Sequence, residues 1–456
     1  MVPATDTIVA LSTAPGRAAL GVIRLSGPGS LPIASKIISD AEFQPEPGRV
    51  TLRSLINPET GEVLDQVVLT FFRSPHSFTG EDMIEFSCHG SPVLLELLLD
   101  ELLKLDARLA SPGEFTLRAL ANGRINLSQA EAIRDLIDAQ TGAAVRQASR
   151  QLLGEVAQRL QPIKAALISI IVPLESSVEF VEDDLPATAT DSIRKKLASL
   201  RDELAQLADT FSAGRVLREG LQVALIGRPN AGKSSLFNKL LAYNRAIVTD
   251  IPGTTRDSLT EVVNMSGVPV RITDTAGLRT DGDFIESIGI ERTRQAAADA
   301  DATILVIDAS HEIEGADLDL IDENNSSSTV VALNKSDLQS FAEHGSALRA
   351  KAPQAISISA KTGTGLDELK AAILKPFIAS NVAHDGLLIT NARHHDLLRR
   401  TMRALDSSSD SLSQGLSEEL VLVGLYDALR LLGEITGETT PDDVLGEIFS
   451  TFCIGK

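Results

Sequence analysis

The stretch Gly227-Arg228-Pro229-Asn230-Ala231-Gly232-Lys233-Ser234-Ser235 fits the pattern G-x-x-x-x-G-K-[ST] at every specified position. In front of it, Leu221-Gln222-Val223-Ala224-Leu225-Ile226 is a short apolar run suited to a buried parallel strand. Behind it, Leu236-Phe237-Asn238-Lys239-Leu240-Leu241 has helical spacing. A strand, a glycine-bracketed loop and a helix start turn backbone N–H groups onto a phosphate. In that frame Lys233 reaches the β- and γ-phosphates and the Ser234 hydroxyl ligates Mg²⁺. An ordinary Gly-rich turn would explain the loop but not both flanks.

Three further stretches decide which nucleotide. Arg271-Ile272-Thr273 leads into Asp274-Thr275-Ala276-Gly277, where P-loop proteins place a second Mg²⁺ carboxylate and a γ-phosphate-sensing glycine. Val330 to Leu333 ends in Asn334-Lys335-Ser336-Asp337. An aspartate there accepts from the ring N–H and the exocyclic amine of guanine, and adenine offers neither in that arrangement. Ser359-Ala360-Lys361 fits a loop closing over the base. Each stretch alone is weak, but their order on alternating strands and helices is specific to GTPases.

Between the P-loop and Asp274, where a GTPase keeps its first switch, lies Gly253-Thr254-Thr255-Arg256-Asp257, preceded by Thr249-Asp250-Ile251-Pro252. Thr255 is the expected second Mg²⁺ ligand. Leu278 follows Gly277, so the glutamine that orients water in Ras is missing. Asp281, Asp283 and Glu286 downstream are candidates to replace it. Asn230 is placed to hold a monovalent cation beside the phosphates, which would substitute electrostatically for an arginine finger, against the plain alternative of a loop-stabilising side chain.

The remainder reads as two other domains. Thr7-Ile8-Val9-Ala10-Leu11, Leu20 to Leu25, Val67 to Phe72 and Met83 to Cys88 read as strands. Ser91-Pro92 opens a Leu-rich helix running to about Leu105. From about 115 to 211 the pattern is helical, with Ala130-Ile133-Leu136-Ile137 and Ile193, Leu197, Leu200 and Leu204 as periodic faces. Glu182-Asp183-Asp184-Leu185-Pro186 interrupts it. Helices resume over Leu397 to Leu405 and Leu420 to Leu432, with a Ser-rich loop expected at 407 to 413. The expected architecture is an α+β domain over 1–118, a helical domain over 119–214 and 379–456, and an α/β P-loop domain inserted at 215–378.

The net charge of −20 disfavours sequence-blind binding to a polyanion. The absence of Trp and the presence of only Tyr243 and Tyr426 argue against an aromatic platform for single strands. Cys88 and Cys453 cannot form a disulfide framework or a zinc site alone. The start lacks a signal-like segment and no apolar run is long enough to span a membrane, so a cytosolic protein is expected.

With these motifs the chain resembles the bacterial tRNA wobble-uridine modification GTPases, the MnmE (TrmE) family. The resemblance covers the whole chain. It includes Phe78-Thr79-Gly80-Glu81-Asp82, His89-Gly90, Ser111-Pro112-Gly113-Glu114-Phe115, Leu127-Ser128-Gln129-Ala130-Glu131-Ala132-Ile133 and the ending Phe452-Cys453-Ile454-Gly455-Lys456. It implies a first domain that binds folate and dimerises, and work with a flavin-containing partner, MnmG. The pair would add an aminomethyl or carboxymethylaminomethyl group to C5 of the wobble uridine of tRNA. The carbon would come from a reduced folate, 5-formyl- or 5,10-methylene-tetrahydrofolate. The family's K⁺ site matches Asn230, Thr249, Ile251 and Thr254, its Mg²⁺ ligands Ser234 and Thr255, and its hydrolytic carboxylate Glu286. Its folate positions match Arg24, Glu81, Arg124 and Lys456. For Arg24 and Arg124 the plain alternative is a surface salt bridge. Cys453 would belong to a functional tail, against the alternative of a buried cysteine; Gly455 and a terminal Lys456 do not make a prenylation box. The runner-up is a GTPase acting only as a switch in ribosome assembly.

Overall fold

A computed structural model describes residues 6–179, 187–244, 260–274, 297–312, 314–324, 326–377, 386–438, 445, 448–449, 451–453 and 455. The chain divides into two compact units. One comprises Met1–Arg134, Gln151–Leu160 and Leu432–Lys456; the other comprises Asp135–Arg150 and Gln161–Leu431.

The first unit is built on a six-stranded sheet. Its strands are β1 (Thr7–Leu11), β2 (Leu20–Ser26), β3 (Val50–Ile56), β4 (Val63–Phe72), β5 (Met83–His89) and β6 (Ala107–Leu109), in the order β3-β4-β5-β2-β1-β6. All pairings are antiparallel except that of β1 with β6. Period-2 alternation places Val67, Leu69 and Phe71 of β4 and Ile84, Phe86 and Cys88 of β5 in one buried cluster, with Leu95, Leu98 and Leu102 of the helix Pro92–Lys104. That helix starts after Ser91 with Pro92 in its first turn, as expected. A separate cluster joins Ile8, Ala10, Ala110 and Phe115.

The C-terminal residues belong to this unit. Phe449 and Phe452 pack with Leu127 and Ala130. The Gly113 amide donates to the Cys453 carbonyl at 3.3 Å, and the Ser12 hydroxyl donates to the Gly455 carbonyl at 3.1 Å. Gly455 has φ +96°, and a Cβ there would meet the Leu11 carbonyl oxygen at 2.3 Å, so a side chain would lift the tail off β1.

The second unit holds the second sheet. Its strands are β7 (Leu221–Ile226), β8 (Thr260–Met265), β9 (Val268–Asp274), β10 (Ala302–Asp308), β11 (Thr329–Asn334) and β12 (Ile356–Ser357), in the order β12-β11-β10-β7-β9-β8. Every pairing is parallel except β8 with β9. In β10, Ile304 and Val306 join one core cluster while Leu305 and Ile307 join the other. Both faces of the sheet are therefore covered, which is why the strand is an unbroken apolar run. From β7 the chain goes to β9 on one side and to β10 on the other, so the loop after β7 sits at a topological switch point.

In the same unit the helix Ala187–Asp209 packs along the helix Ala392–Ser413. These two flank the P-loop segment in the sequence. The second of them corrects the expected Ser-rich loop at 407–413: the helix continues to Ser413. Leu405, Ser408 and Leu412 lie on its buried face, and the Ser408 hydroxyl donates to the Val421 carbonyl at 3.0 Å. Ser408 is small enough to bury between helices, while Ser407 and Ser413 stay exposed on the same helix. The acidic interruption at Glu182–Pro186 lies outside the described residues.

Candidate functional site

The P-loop leaves β7 and enters the helix Lys233–Asn244. Asn230 takes a left-handed conformation, φ +65°. Lys233 Nζ donates to the carbonyls of Gly227 at 2.7 Å and Arg228 at 2.8 Å, folding the ammonium back over the loop. Ala231 is buried; Ser234 and Ser235 fall in the first turn of the helix, where free amides and the helix dipole favour anions. Gly232 has φ +95°, and a Cβ on it would meet Asn334 Nδ2 at 2.2 Å. That close approach makes the second glycine obligatory.

Asn334 ends β11 and ties two loops together. Its Nδ2 donates to the Ala231 carbonyl at 2.8 Å and its Oδ1 accepts from the Ala360 amide at 3.0 Å. The Ser336 amide donates to the Ile358 carbonyl at 3.0 Å. Asp337 Oδ1 accepts from the Ser359 hydroxyl at 2.7 Å. That hydrogen bond, outweighing a small desolvation and helped by the charges of Lys361 and Lys335, holds the Asp337 carboxyl below its ordinary range. An ionised acceptor is what a guanine edge requires. The 334–337 and 358–361 loops are thus tied to each other, and through Asn334 to the loop that carries Lys233.

Asp274 ends β9 opposite Leu225 in register, which sets its backbone beside the strand that feeds the P-loop. Thr249, Asp250, Ile251, Pro252, Gly253, Thr254, Thr255, Thr275, Ala276, Gly277 and Glu286, together with Leu278, Asp281 and Asp283, lie outside the described residues.

Two contacts at this site are not announced by any motif. Arg228 pairs with Glu314 at 2.7 Å and Asp317 at 3.3 Å, the residues that form the capping box of the helix Gly315–Glu323. Lys335 pairs with Asp308 at the end of β10.

In the first unit, Glu81 is fixed by the Ser26 hydroxyl at 2.8 Å and by Arg118 Nη1 at 3.2 Å. Arg118 is 5% exposed and also grips Asp6 and Glu114. Burial opposes the charge on Arg118, but its hydrogen bond to Glu114 and the carboxylates around it raise its pKa. Burial likewise pushes Glu114 up, yet Arg108, the Ser111 amide and Arg118 hold it below its ordinary value. Arg24 does not contact Glu81. It forms a two-pronged bond with Glu85, its register partner on β5, and its guanidinium lies over the Phe78 and Phe115 rings. Arg124 Nε donates to the Ser77 carbonyl at 3.2 Å, and Ser77 Oγ donates to the Glu81 carbonyl. Arg24, Glu81 and Arg124 therefore border the same 77–81 loop. Lys456 lies outside the described residues. The i, i+4 spacing of Glu114 and Arg118 is the one sequence signal that could have exposed this hub. Cys453 is exposed, against the buried alternative, whereas burial pushes the Cys88 thiol up to about 12.

Comparison with known proteins identifies the family. A family profile described as the GTP-binding protein TrmE N-terminus matches residues 7–124, and one described as the MnmE helical domain matches residues 127–453. The chain is 45% identical to the tRNA modification GTPase MnmE of Koribacter versatilis over 99% of both chains. It is 40% identical to that of Aquifex aeolicus, covering 99% of this chain and 100% of the relative. It is 38% identical to that of Acetivibrio thermocellus over 99% of each. Profile and full-length identity point the same way as the P-loop and Asn334–Asp337 motifs: the chain belongs to the MnmE family of tRNA modification GTPases.

Proposed function

We propose that the protein hydrolyses GTP to drive tRNA modification, adding an aminomethyl or carboxymethylaminomethyl group to C5 of the wobble uridine. The observation that carries the GTP half is the Asn334 bridge, which binds the Lys233 loop to the Asp337–Ser359 base loop. Likeness along the whole chain to tRNA modification GTPases carries the other half.

In this reading the P-loop amides and Lys233 neutralise the β- and γ-phosphates. The Ser234 hydroxyl in the first helical turn, with Thr255, gives the hard oxygen donors that suit Mg²⁺. Asn230, with Thr249, Ile251 and Thr254, would hold K⁺, a fixed positive charge where an arginine finger would otherwise act. Glu286 would orient the attacking water in place of the glutamine that Leu278 replaces. Two nucleotide domains meeting face to face would order these switch residues.

Folate would lie against the 77–81 loop. The Glu81 carboxylate, already held by Ser26 and Arg118, fits the donor edge of a pterin, which resembles that of guanine. Arg24, Arg124 and Lys456 would serve the acidic tail, with Cys453 on the neighbouring C-terminal segment. A flavin-dependent partner, MnmG, would share the reaction, and the protein would act as a homodimer in the cytosol. Among the described residues no helix is long and apolar enough to cross a membrane. The domain scheme is 1–118, 119–214 with 379–456, and the inserted 215–378.

Nucleoside analysis of tRNA from a strain lacking the gene tests the proposal. Loss of the modified wobble uridine, restored by the native gene but not by Lys233→Ala, is the expected result. Unchanged tRNA nucleosides with an altered ribosomal-subunit profile would favour a ribosome-assembly switch instead.

A further inference from the structure

Lys335 has a left-handed backbone, φ +68°. A residue with a long side chain keeps that conformation only where its surroundings hold it. The holding group comes from another strand: Asp308 Oδ2 accepts from Lys335 Nζ at 2.5 Å. Asp308 is the last residue of β10 and stands opposite Asn334, the last residue of β11. Its other oxygen accepts from the Ser310 amide at 3.0 Å and the Ser310 hydroxyl at 2.6 Å. The carboxylate is therefore fixed independently of the lysine. The pair is partly shielded, with side-chain exposures of 19% for Asp308 and 31% for Lys335, so solvent screens it less than a surface pair. His311, the other basic group nearby, is exposed and stands 3.9 Å from the same oxygen.

We propose that Asp308 is a positioning residue for guanine-nucleotide binding, holding Lys335 so that Asn334–Asp337 stands in its binding conformation before the nucleotide arrives. The inference rests on reading Asn334–Asp337 as the guanine loop. A loop already ordered loses less freedom on binding, so the gain falls on affinity. GDP and GTP share the base, and both benefit alike.

The test uses the full-length protein and calorimetry with GDP and with a non-hydrolysable GTP analogue. Asp308→Asn keeps the side chain's size and can still accept from Ser310, so it removes mainly the charge that faces Lys335. The dissociation constants for both nucleotides should rise about tenfold, the usual scale for a hydrogen bond between charged groups. In a Lys335→Ala background the same substitution should change them by less than about twofold, because its partner is gone. Equal losses in both backgrounds, or no loss in the native background, overturn the proposal. If Lys335→Ala alone leaves GDP affinity unchanged, the guanine-loop reading itself falls, which is a different result. Binding stoichiometry reports the folded fraction in each case.

Discussion

At the nucleotide site, the groups that matter sit in short runs at the ends of parallel strands, whereas the charged hub of the first unit joins Glu114 and Arg118 of one helix to Asp6, Ser26 and Glu81 from distant parts of the chain. Parallel strands deliver their C-terminal ends to one edge, so local motifs are enough to assemble a site there. The first sheet interleaves strands from distant parts of the chain, with β1 between β2 and β6. Its hub exists only once that order is complete. Substitutions in the nucleotide site should therefore cost chemistry or affinity, and substitutions in the hub should cost stability first.

Lys233→Ala should give the largest effect. The β/γ-phosphates lose their fixed cation, and turnover should fall roughly 10³-fold or more with weakened GTP binding. Near-normal hydrolysis by the purified variant would remove the P-loop from the mechanism. On the other side, Arg118→Met should destabilise the first unit by about 1.5–3 kcal/mol, because it removes the buried guanidinium that joins Glu81 to Asp6 and Glu114, of which the last two keep Arg108. A thermal melt within a degree of the native protein would show that the hub is not structural.

Asp337→Asn should lower GTP affinity roughly 10²-fold and shift preference toward xanthosine triphosphate, whose edge carries an acceptor where guanine has a donor. An unchanged affinity ratio between the two nucleotides would disqualify Asp337 as the base reader. Smaller again is Glu81→Ala, expected to weaken binding of a reduced folate about tenfold while GTP hydrolysis persists. Calorimetry with unaltered folate binding would take Glu81 out of that site.

The smallest expected effect is that of mild acid. Asp6 and Glu114 have folded-state pKa values below their ordinary ones of 3.8 and 4.5. Their contribution is complete above those values and is lost as the pH falls through the lower, folded-state values. Stability of the native protein should thus begin to drop below about pH 4.5. Arg108 is the larger cause of the lowering and Arg118 a further one, so Arg118→Met should show a somewhat shallower acid dependence. Parallel acid-unfolding curves for the two proteins would refute the hub as the source.

The sequence by itself determined the framework of the nucleotide half: the P-loop motif between an apolar strand and a helix, and the Asn334–Asp337 motif at the end of another strand. These are local patterns, and burial on both faces writes the strands as unbroken apolar runs. It also determined four strands of the first sheet through their apolar, β-branched runs. The edge strand β3, with polar residues among exposed apolar ones, and the three-residue β6 left no such signature. Composition misled at 407–413, where serines read as a loop but Ser408 fits between two helices. Tertiary structure alone decided that Arg24 belongs to Glu85, that Arg118 rather than Arg24 holds Glu81, and that Asp308 restrains Lys335. Each of those pairs joins residues far apart in the sequence that only the folded chain brings together. A charge in the sequence announces that it needs a partner, but not which one.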